Sequence, residues 1–230
     1  MTPDDRMRRR TLLGTAGVGL ASLAGCFSVT QSESEGGADQ PTDTATGTGT
    51  ATGTPSAQLS APVAGDAGAN VTVAVYEDFA CPHCKTFNED VLPRLRSEYI
   101  DPEEIRYEHR DFPIPVDETV SWQAPSAARA VQATVGDGAF FEYADLLFAN
   151  QNSLGPDTYA SLASGVDADG ETVRTAAGER RYDPTVRADR ERGIDAGVRG
   201  TPTAFVNGQQ VDATYEAISS AIDEAKSDST

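Results

Sequence analysis

A run of apolar, β-branched residues that ends in two closely spaced cysteines constrains this chain more than any other feature. The run from Val71 to Tyr76 is uncharged and rich in valine, which predicts a buried strand. Cys81 and Cys84 follow in the motif Cys-Pro-His-Cys, and apolar residues then recur at helical spacing from Phe87 to Leu95. The segment therefore predicts a strand that leads into a helix, with Cys81 at the helix start.

The position of Cys81 predicts a reactive thiol. A helix start presents unpaired N–H groups and the positive end of the helix dipole, and both favour a thiolate. Pro82 suits the first turn because its missing N–H costs nothing there, and His83 adds a positive charge or a donor beside the sulfur. Cys84 lies on the same helix face, where a Cα separation of roughly 5–6 Å permits a disulfide. We therefore expect a redox-active Cys81–Cys84 pair that Pro82 and His83 tune.

Three simpler interpretations of the two cysteines compete with this one. A structural disulfide would close so short a loop that it would remove little entropy from the unfolded chain. A zinc half-site would need two more ligands, and outside the motif the chain offers only His109 and Cys26. Two unrelated buried thiols would not require a helix start, which favours reactivity. We therefore predict no metal site and no organic cofactor.

The residues before position 26 predict an export signal. Charged Arg8 to Arg10 precede an apolar segment, Leu12 to Ala24, that is too short and too rich in glycine and alanine to span a membrane. Arg9-Arg10-Thr11-Leu12-Leu13 resembles the twin-arginine signal. Leu23-Ala24-Gly25-Cys26 resembles a lipobox, which implies lipidation of Cys26 and anchoring at the outer face of the cytoplasmic membrane. The alternatives are a plain signal peptide and an uncleaved anchor.

The next segment and the charge balance limit the partners of the chain. Residues 26–61 are rich in Thr, Gly, Ser and acidic residues and lack apolar content, which predicts a disordered tether. The chain has 18 basic and 36 acidic residues, a formal net charge of −18. Such a surface repels nucleic acid, so we expect no nucleic-acid partner. With only two lysines, the composition resembles that of halophilic proteins; the alternative is a merely acidic protein.

Residues 62–230 predict one folded domain in which helices interrupt a pattern of strands. Ile105 to Asp111 alternates and predicts a half-buried second strand, parallel to the first because a helix connects them. His109 lies on its less polar face, which favours a packed, hydrogen-bonded imidazole over a catalytic one. The segment from about residue 117 to 198 predicts four or five helices, with Trp122 as a packing residue.

The end of the domain predicts a hairpin and a closing helix. Thr203 to Val206 is a candidate strand, and Asn207-Gly208 is a strong signal for a two-residue turn. Gln209 to Val211 would return antiparallel to that strand. One face of the closing helix would then carry Tyr215, Ile218 and Ile222.

Two motifs in this order resemble the DsbA-like branch of the thioredoxin superfamily. Cys81-Pro82-His83-Cys84 follows a strand, a helical insertion comes next, and Gly200-Thr201-Pro202-Thr203 precedes a later strand. The resemblance covers about residues 68–226 and implies an α/β, thioredoxin-like fold with a central mixed sheet and an inserted helical subdomain. It also implies that Cys81 attacks and Cys84 resolves. A cis Pro202 would face the pair, and Thr201 would offer backbone groups to a bound peptide.

The chain departs from this family at one buried position. Many members carry an acid six residues before the first cysteine, which helps to move the proton of the second, and here that position is Val75. Glu77 and Asp78 are close in sequence, but we expect their side chains to point elsewhere. The motif alone therefore assigns no route for the Cys84 proton.

The motifs and the export signal together predict an extracytoplasmic thiol–disulfide oxidoreductase. The Pro-His dipeptide matches the strongly oxidising DsbA proteins, so we expect oxidation of substrate thiols. The expected partners are proteins with cysteine thiols or disulfides, a redox partner that regenerates the active disulfide, and the membrane through the lipid anchor. A reductase or isomerase on the same fold, for example for apocytochrome thiols, is one alternative. A lipoprotein binding module with a static disulfide is the other.

Overall fold

A mixed five-stranded sheet forms the centre of the region that the computed structural model describes, residues 58–228. Its strands are β1 (Val63–Gly65), β2 (Thr72–Glu77), β3 (Arg106–Asp111), β4 (Thr203–Val206) and β5 (Gln209–Val211). Their order is β1-β3-β2-β4-β5. β2 and β3 run parallel, and the other neighbouring strands run antiparallel. The predicted mixed sheet, with a parallel first pair and a final hairpin, is confirmed.

The predictions for residues 1–57 lie outside the described residues. They include the signal peptide, the lipidation of Cys26 and most of the tether. Within residues 58–228, no helix is long and apolar enough to cross a membrane.

The strand that leads to the cysteines lies in the middle of the sheet. β2 is paired on both edges, with β3 and with β4, and Val73 and Val75 are fully buried. The edge strand β1 was not predicted, because three residues are too few to show a periodic pattern. Gly65 at its end has φ +76, and a Cβ there would lie 2.3 Å from the carbonyl oxygen of Ile105. Only glycine fits this close approach between β1 and the chain before β3.

The helix that begins with the cysteine motif is not a regular α-helix throughout. Helix α1 (Pro82–Thr86) continues through a π-helical segment (Phe87–Val91) into α2 (Leu92–Leu95), and a second π-helical segment follows (Arg96–Ile100). Pro93 has no N–H to donate to the carbonyl four residues earlier, so the helix widens before it and Leu92 donates to Phe87 instead. The wide turn keeps the helix continuous from the cysteines to Ile100.

The inserted helical subdomain contains five α-helices between β3 and β4, as predicted for this part of the chain. They are α3 (Val120–Thr134), α4 (Asp137–Ala149), α5 (Pro156–Ala163), α6 (Gly170–Gly178) and α7 (Asp183–Asp195). The alanine-rich face of α3 is buried, which lets its neighbours approach closely. Phe140 and Phe148 of α4 join the core that covers the sheet. The subdomain therefore packs over the end of β2 from which the cysteine segment emerges.

Helix α8 (Tyr215–Asp228) closes the fold on the hairpin side. Ile218 and Ile222 are fully buried, and Tyr215 is partly buried on the same face, as the spacing predicted. Glu216, Asp223 and Glu224 of the same helix are exposed.

Candidate active site

Cys81 lies at the position that caps α1, with an extended backbone, and Pro82 occupies the first helical turn. Its Sγ donates to the Thr201 carbonyl oxygen at 3.4 Å. As a thiolate, it accepts hydrogen bonds from the Cys84 thiol, from the Thr201 side chain and from the backbone N–H groups of Cys84 and His83. These interactions outweigh burial and lower the pKa of Cys81 to about 5.

Cys84 occupies the opposite environment one helical turn away. It is fully buried, and the backbone N–H of Asp78 donates to its Sγ at 3.5 Å. Burial raises the pKa of Cys84 far above the usual thiol value, and the hydrogen bond to Cys81 and the negative charge of Glu77 raise it further. Both thiols are free in this structure. The site therefore joins one sulfur that favours the thiolate to one that favours the thiol.

The two residues between the cysteines are exposed. Pro82 and His83 face solvent, and the contribution of His83 to the Cys81 sulfur comes from its backbone N–H. The lowering of the Cys81 pKa therefore depends on the shape of the helix start more than on the imidazole ring.

The segment before β4 brings Thr201 and Pro202 against the cysteines. The Thr201–Pro202 peptide bond is cis, as the resemblance implied. Thr201 and Pro202 line a hollow of about 580 Å³ together with His83, Phe87 and Tyr215. This hollow offers apolar surface beside the Thr201 carbonyl group that contacts Cys81.

One residue of the helical subdomain holds the turn at Cys81, and it was not identified from the sequence. The Gln151 Nε2 donates to the carbonyl oxygens of Phe79 and Cys81, each at 2.9 Å. Gln151 follows α4 in a short 3₁₀ helix, and an isolated glutamine in a polar loop carries no pattern that predicts a distant backbone contact. The subdomain therefore positions the turn that leads to the reactive sulfur.

Glu77 lies beneath the cysteines, and the expectation that it points elsewhere is wrong. It is two residues after Val75 on the same strand, so both side chains leave the same side of the sheet, and Glu77 is 2 % exposed. Its Oε1 accepts from Asn88 Nδ2 at 2.6 Å, and the same nitrogen donates to the Cys84 carbonyl oxygen at 3.0 Å. Burial and the negative charge of Cys81 raise the pKa of Glu77, although His109 opposes them.

Asp78, by contrast, is turned toward the backbone of two loops. Its carboxylate accepts from the N–H of Ala80 at 2.7 Å and from the N–H of Ile114 at 2.7 Å. Burial raises its pKa, and these two hydrogen bonds lower it in part. Asp78 therefore ties the turn before Cys81 to the loop after β3.

His109 joins Glu77 to a buried chain of charges. Its Nδ1 lies 3.2 Å from Glu77 Oε2 and its Nε2 lies 3.3 Å from Asp111 Oδ1. Burial lowers the pKa of His109, but the bonds to Asp111 and Glu77 outweigh it and raise the pKa to about 9. The prediction of a packed and hydrogen-bonded histidine is confirmed, and the ring also stacks on Phe79 with centroids 5.4 Å apart.

Arg129 extends this chain of charges toward α7. It is fully buried, and it donates to Asp111 Oδ2 and to Asp189 Oδ2, each at 2.7 Å. Burial raises the pKa of Asp111, but Arg129 and His109 outweigh it and lower the pKa to about 2. The alternating charges compensate one another, which is the condition under which burial of ionised groups is tolerated.

Within residues 58–228, no group of three or more His, Cys, Asp and Glu side chains is arranged to hold a metal ion. This finding does not test whether the chain needs a metal or an organic cofactor, and the expectation that it needs neither stays a prediction.

A mixed sheet with a dithiol at a helix start and a cis proline opposite it defines the thioredoxin-like class of proteins. The thioredoxin family model matches residues 58–224, so the chain belongs to the thioredoxin family. The implied DsbA-like arrangement, with a helical subdomain between β3 and β4, is confirmed by the fold.

Similar proteins fall into two groups by name. Disulfide bond formation protein D of Bacillus subtilis is 26% identical over 170 residues, which cover 70% of this chain and 75% of that protein. The crystal structure of oxidised BdbD from Bacillus subtilis has a TM-score of 0.66 and 24% identity, and covers 72% of this chain and 92% of that one. Na(+)/H(+) antiporter NhaA 3 of Salinispora tropica is 35% identical over 162 residues, or 70% of this chain. The chain spans only 24% of the length of that antiporter.

Proposed function

We propose that the chain is an extracytoplasmic thiol–disulfide oxidoreductase that oxidises cysteine thiols of other proteins through a Cys81–Cys84 disulfide. The observation that carries the proposal is the unequal placement of two neighbouring thiols: Cys81 caps a helix beside Thr201, and Cys84 is fully buried one turn later. This placement lowers the pKa of Cys81 to about 5 and raises that of Cys84. A stabilised Cys81 thiolate is a good leaving group and makes the disulfide a stronger oxidant. The name of the similar Disulfide bond formation protein D supports the same class of reaction.

In the proposed mechanism, a substrate thiolate attacks Cys81 Sγ, the bond between the two cysteines breaks, and Cys84 leaves with the electron pair. Cys84 then takes up a proton, because burial disfavours its thiolate. A second substrate thiolate attacks the substrate sulfur of the mixed disulfide, and Cys81 leaves as the thiolate. The substrate has lost two electrons to the reduced pair, and a redox partner must remove them.

We assign the supply of the Cys84 proton to Glu77. Burial raises the pKa of Glu77, which favours a proton on its carboxyl, and the charge of Glu77 is coupled to Cys84. The carboxyl would protonate Cys84 as it leaves the disulfide and would accept the proton in the reverse direction. Glu77 would thus take the role of the acid that other family members carry at the position of Val75. It lies at the next position on the same side of β2.

Glu77→Gln tests this assignment. A glutamine keeps the shape but supplies no proton, so the rate of mixed-disulfide formation should fall by about 10²-fold and lose part of its pH dependence. Val75→Glu in the Glu77→Gln background is the matched rescue, because it places an acid on the same side of the strand. Unchanged rates in Glu77→Gln across the pH range would remove Glu77 from the mechanism.

The direction of electron flow is tested with purified protein. Oxidised protein is mixed with a reduced two-cysteine peptide, and the reduction potential is measured against glutathione. We expect fast, equimolar oxidation of the peptide and a potential closer to about −120 mV, as in DsbA, than to about −270 mV, as in thioredoxin. A potential near the thioredoxin value would favour the reductase alternative, and an inert disulfide would favour a static bridge.

We further propose export by a twin-arginine signal in residues 1–25, lipidation of Cys26, and a tether over residues 26–61 that holds the domain at the outer face of the cytoplasmic membrane. The support is the pattern of arginines, the apolar segment and the lipobox. Cys26→Ser should release the protein from the membrane fraction or block its processing. A mutant with unchanged processing and unchanged membrane association would contradict the lipid anchor.

The acid-rich composition supports a proposal of adaptation to high salt. At a formal net charge of −18, the acidic side chains repel one another, and concentrated salt screens that repulsion. The midpoint of thermal unfolding should therefore fall as salt is lowered from molar to tens of millimolar. A midpoint that does not change over this range would contradict the proposal.

A further inference from the structure

An arginine-lined hollow lies on the surface of this acidic protein. Arg180, Arg187 and Arg190 surround a space of about 440 Å³ together with Trp122 and the loop Pro113 to Pro115. We call this hollow the arginine pocket. Its positive character departs from the rest of the chain, which has a formal net charge of −18.

The guanidinium groups of the arginine pocket are held in place by aromatic rings and the backbone. The Cζ atoms of Arg180 and Arg187 lie 4.6 and 4.7 Å from the centre of the Trp122 ring. Arg190 Nε donates to the Pro113 carbonyl oxygen at 3.1 Å. Stacking and this hydrogen bond reduce the entropy that the arginines would lose when they bind a ligand.

The arginine pocket has more hydrogen-bond donors than its own carboxylates use. Asp183 pairs with Arg180 at 2.8 Å and with Arg187 at 3.3 Å, and Glu118 on the rim is exposed. Among residues 58–228, no carboxylate forms an ion pair with Arg190. Each guanidinium has five N–H donors, so most of the donors of the three arginines remain for a ligand. Planar guanidinium groups bind carboxylates through paired hydrogen bonds.

The arginine pocket lies at the same edge of the sheet as the dithiol. β2 and β3 are parallel, so the turn that leads to Cys81 and the loop that begins at Phe112 leave the sheet at the same edge. Asp78 joins the two, since its carboxylate accepts from the N–H groups of both Ala80 and Ile114 at 2.7 Å. Ile114, which lines the arginine pocket, is thus joined through Asp78 to the turn before Cys81.

We propose that the arginine pocket binds an acidic segment of the substrate polypeptide, adjacent to the cysteine that reacts with Cys81. The proposal rests on the proposed function, because it names which substrates the site would prefer. Aspartate or glutamate carboxylates would pair with Arg187 and Arg190, and the apolar part of the segment would lie on Trp122 and Pro115. The surrounding negative surface would repel acidic segments that dock elsewhere.

The test uses two synthetic peptides with the same two cysteines and either glutamate or glutamine at the flanking positions. The rate of peptide oxidation at limiting peptide concentration is measured with the oxidised protein, starting at the lowest salt concentration at which thermal unfolding shows the protein to be folded. We expect the glutamate peptide to react about five- to tenfold faster, which corresponds to one or two partly buried ion pairs. The preference should fall as salt is raised, because the pairs lie at the surface.

Arg187→Gln with Arg190→Gln is the test variant, and Arg181→Gln is the matched control. Arg181 is a neighbour in sequence that pairs with the exposed Glu179 and does not line the hollow. In the double variant the two peptides should be oxidised at about equal rates, while the control should keep the preference for the glutamate peptide. A wild-type protein that oxidises both peptides at equal rates, or a control that loses the preference as fully as the double variant, would overturn the proposal.

Binding of the same peptides with serine in place of cysteine separates this proposal from the proposed function. Fluorescence anisotropy requires no exchange chemistry, so tighter binding of the glutamate peptide supports the arginine pocket even if no peptide is oxidised. Equal binding of the two peptides, together with equal oxidation rates, would overturn the arginine pocket and leave the oxidoreductase proposal standing.

Discussion

The two sulfurs of the dithiol site lie in surroundings that shift their pKa values in opposite directions. We call Cys81 and its hydrogen-bond donors the rim, and Cys84 with Glu77 and the buried charges next to it the floor. At the rim, Cys81 meets hydrogen-bond donors at a helix start, and its pKa is lowered to about 5. At the floor, Cys84 is fully buried beneath the helix and beside the negative charge of Glu77, and its pKa is raised. One helical turn separates a position that stabilises negative charge from one that penalises it. The asymmetry makes the two sulfurs unequal before any substrate arrives.

The floor also differs from the rim in how its charges are compensated. The Cys81 thiolate depends first on the Cys84 thiol and then on Thr201 and backbone donors. Glu77 instead contacts His109, which is linked to Asp111 and Arg129, and all of these side chains are buried. Donors at a helix start are part of the backbone and survive most substitutions. A buried chain of charges requires every member, because each loss leaves an uncompensated charge. Apart from Cys84 and Thr201, the rim should therefore tolerate side-chain changes that the floor does not.

The largest expected effect comes from removing each sulfur in turn. Cys84→Ala should leave Cys81 able to form mixed disulfides that nothing resolves internally, so trapped substrates should accumulate. Cys81→Ala should trap none, because Cys84 is fully buried and its thiolate is disfavoured. Both variants should lose all oxidase turnover. Non-reducing gels of the two variants with a disulfide-bonded substrate give the answer, because the Cys81 thiolate then displaces one substrate sulfur as a thiolate. Equal trapping by both variants would contradict the asymmetry.

The next effect is on stability at the floor. Arg129→Met should lower the free energy of unfolding by about 3–5 kcal/mol, because Asp111 and Asp189 would lose a buried partner. Arg181→Met is the matched surface control and should cost less than about 0.5 kcal/mol. Urea titration of both variants measures the difference. A loss at Arg129 as small as that at Arg181 would mean that the buried charges do not depend on one another.

An effect of at most similar size links the rim to pH. Cys81 has a folded pKa of about 5 and an unfolded value of about 8.5, so between these values the unfolded reduced chain binds one more proton. The free energy of unfolding of the reduced protein, relative to the oxidised protein, should therefore rise from pH 5 to pH 8 by up to about 1.4 kcal/mol per pH unit. This stabilisation is lost as the pH falls through the folded pKa. Reduced Cys81→Ser protein should show no such slope, and a flat difference in the wild type would contradict the lowered pKa.

The smallest expected effect is that of the His83 ring. It is exposed, so His83→Ala should raise the pKa of Cys81 by less than about one unit, the size expected of a screened surface charge. Thr201→Val should raise the pKa more, since Thr201 interacts directly with the sulfur. Alkylation rates as a function of pH report both shifts. A larger effect of His83→Ala than of Thr201→Val would mean that the imidazole contributes more than Thr201 to the low pKa of Cys81.

Local patterns sufficed for most of the fold. The strand that leads to the cysteines, the helix after them, the hairpin at Asn207-Gly208 and the closing helix all follow from periodicity and turn residues. The number of helices in the insertion was also predicted within its stated range. The edge strand β1 was missed, because its three residues acquire their conformation from pairing with β3 rather than from their own pattern.

The sequence by itself determined that a dithiol begins a helix after a central strand, since strand pattern, cysteine spacing and proline act over a few residues. Only the tertiary structure decided what surrounds the sulfurs. Thr201 is 120 residues from Cys81, Gln151 is 70 residues away, and both reach it through hydrogen bonds that no local pattern encodes. The direction of Glu77 likewise depended on His109 from the neighbouring strand and Asn88 from the helix, which together offset the burial of a carboxyl group. Long-range compensation of charge is a property of the packed fold, and it set the chemistry of the second cysteine.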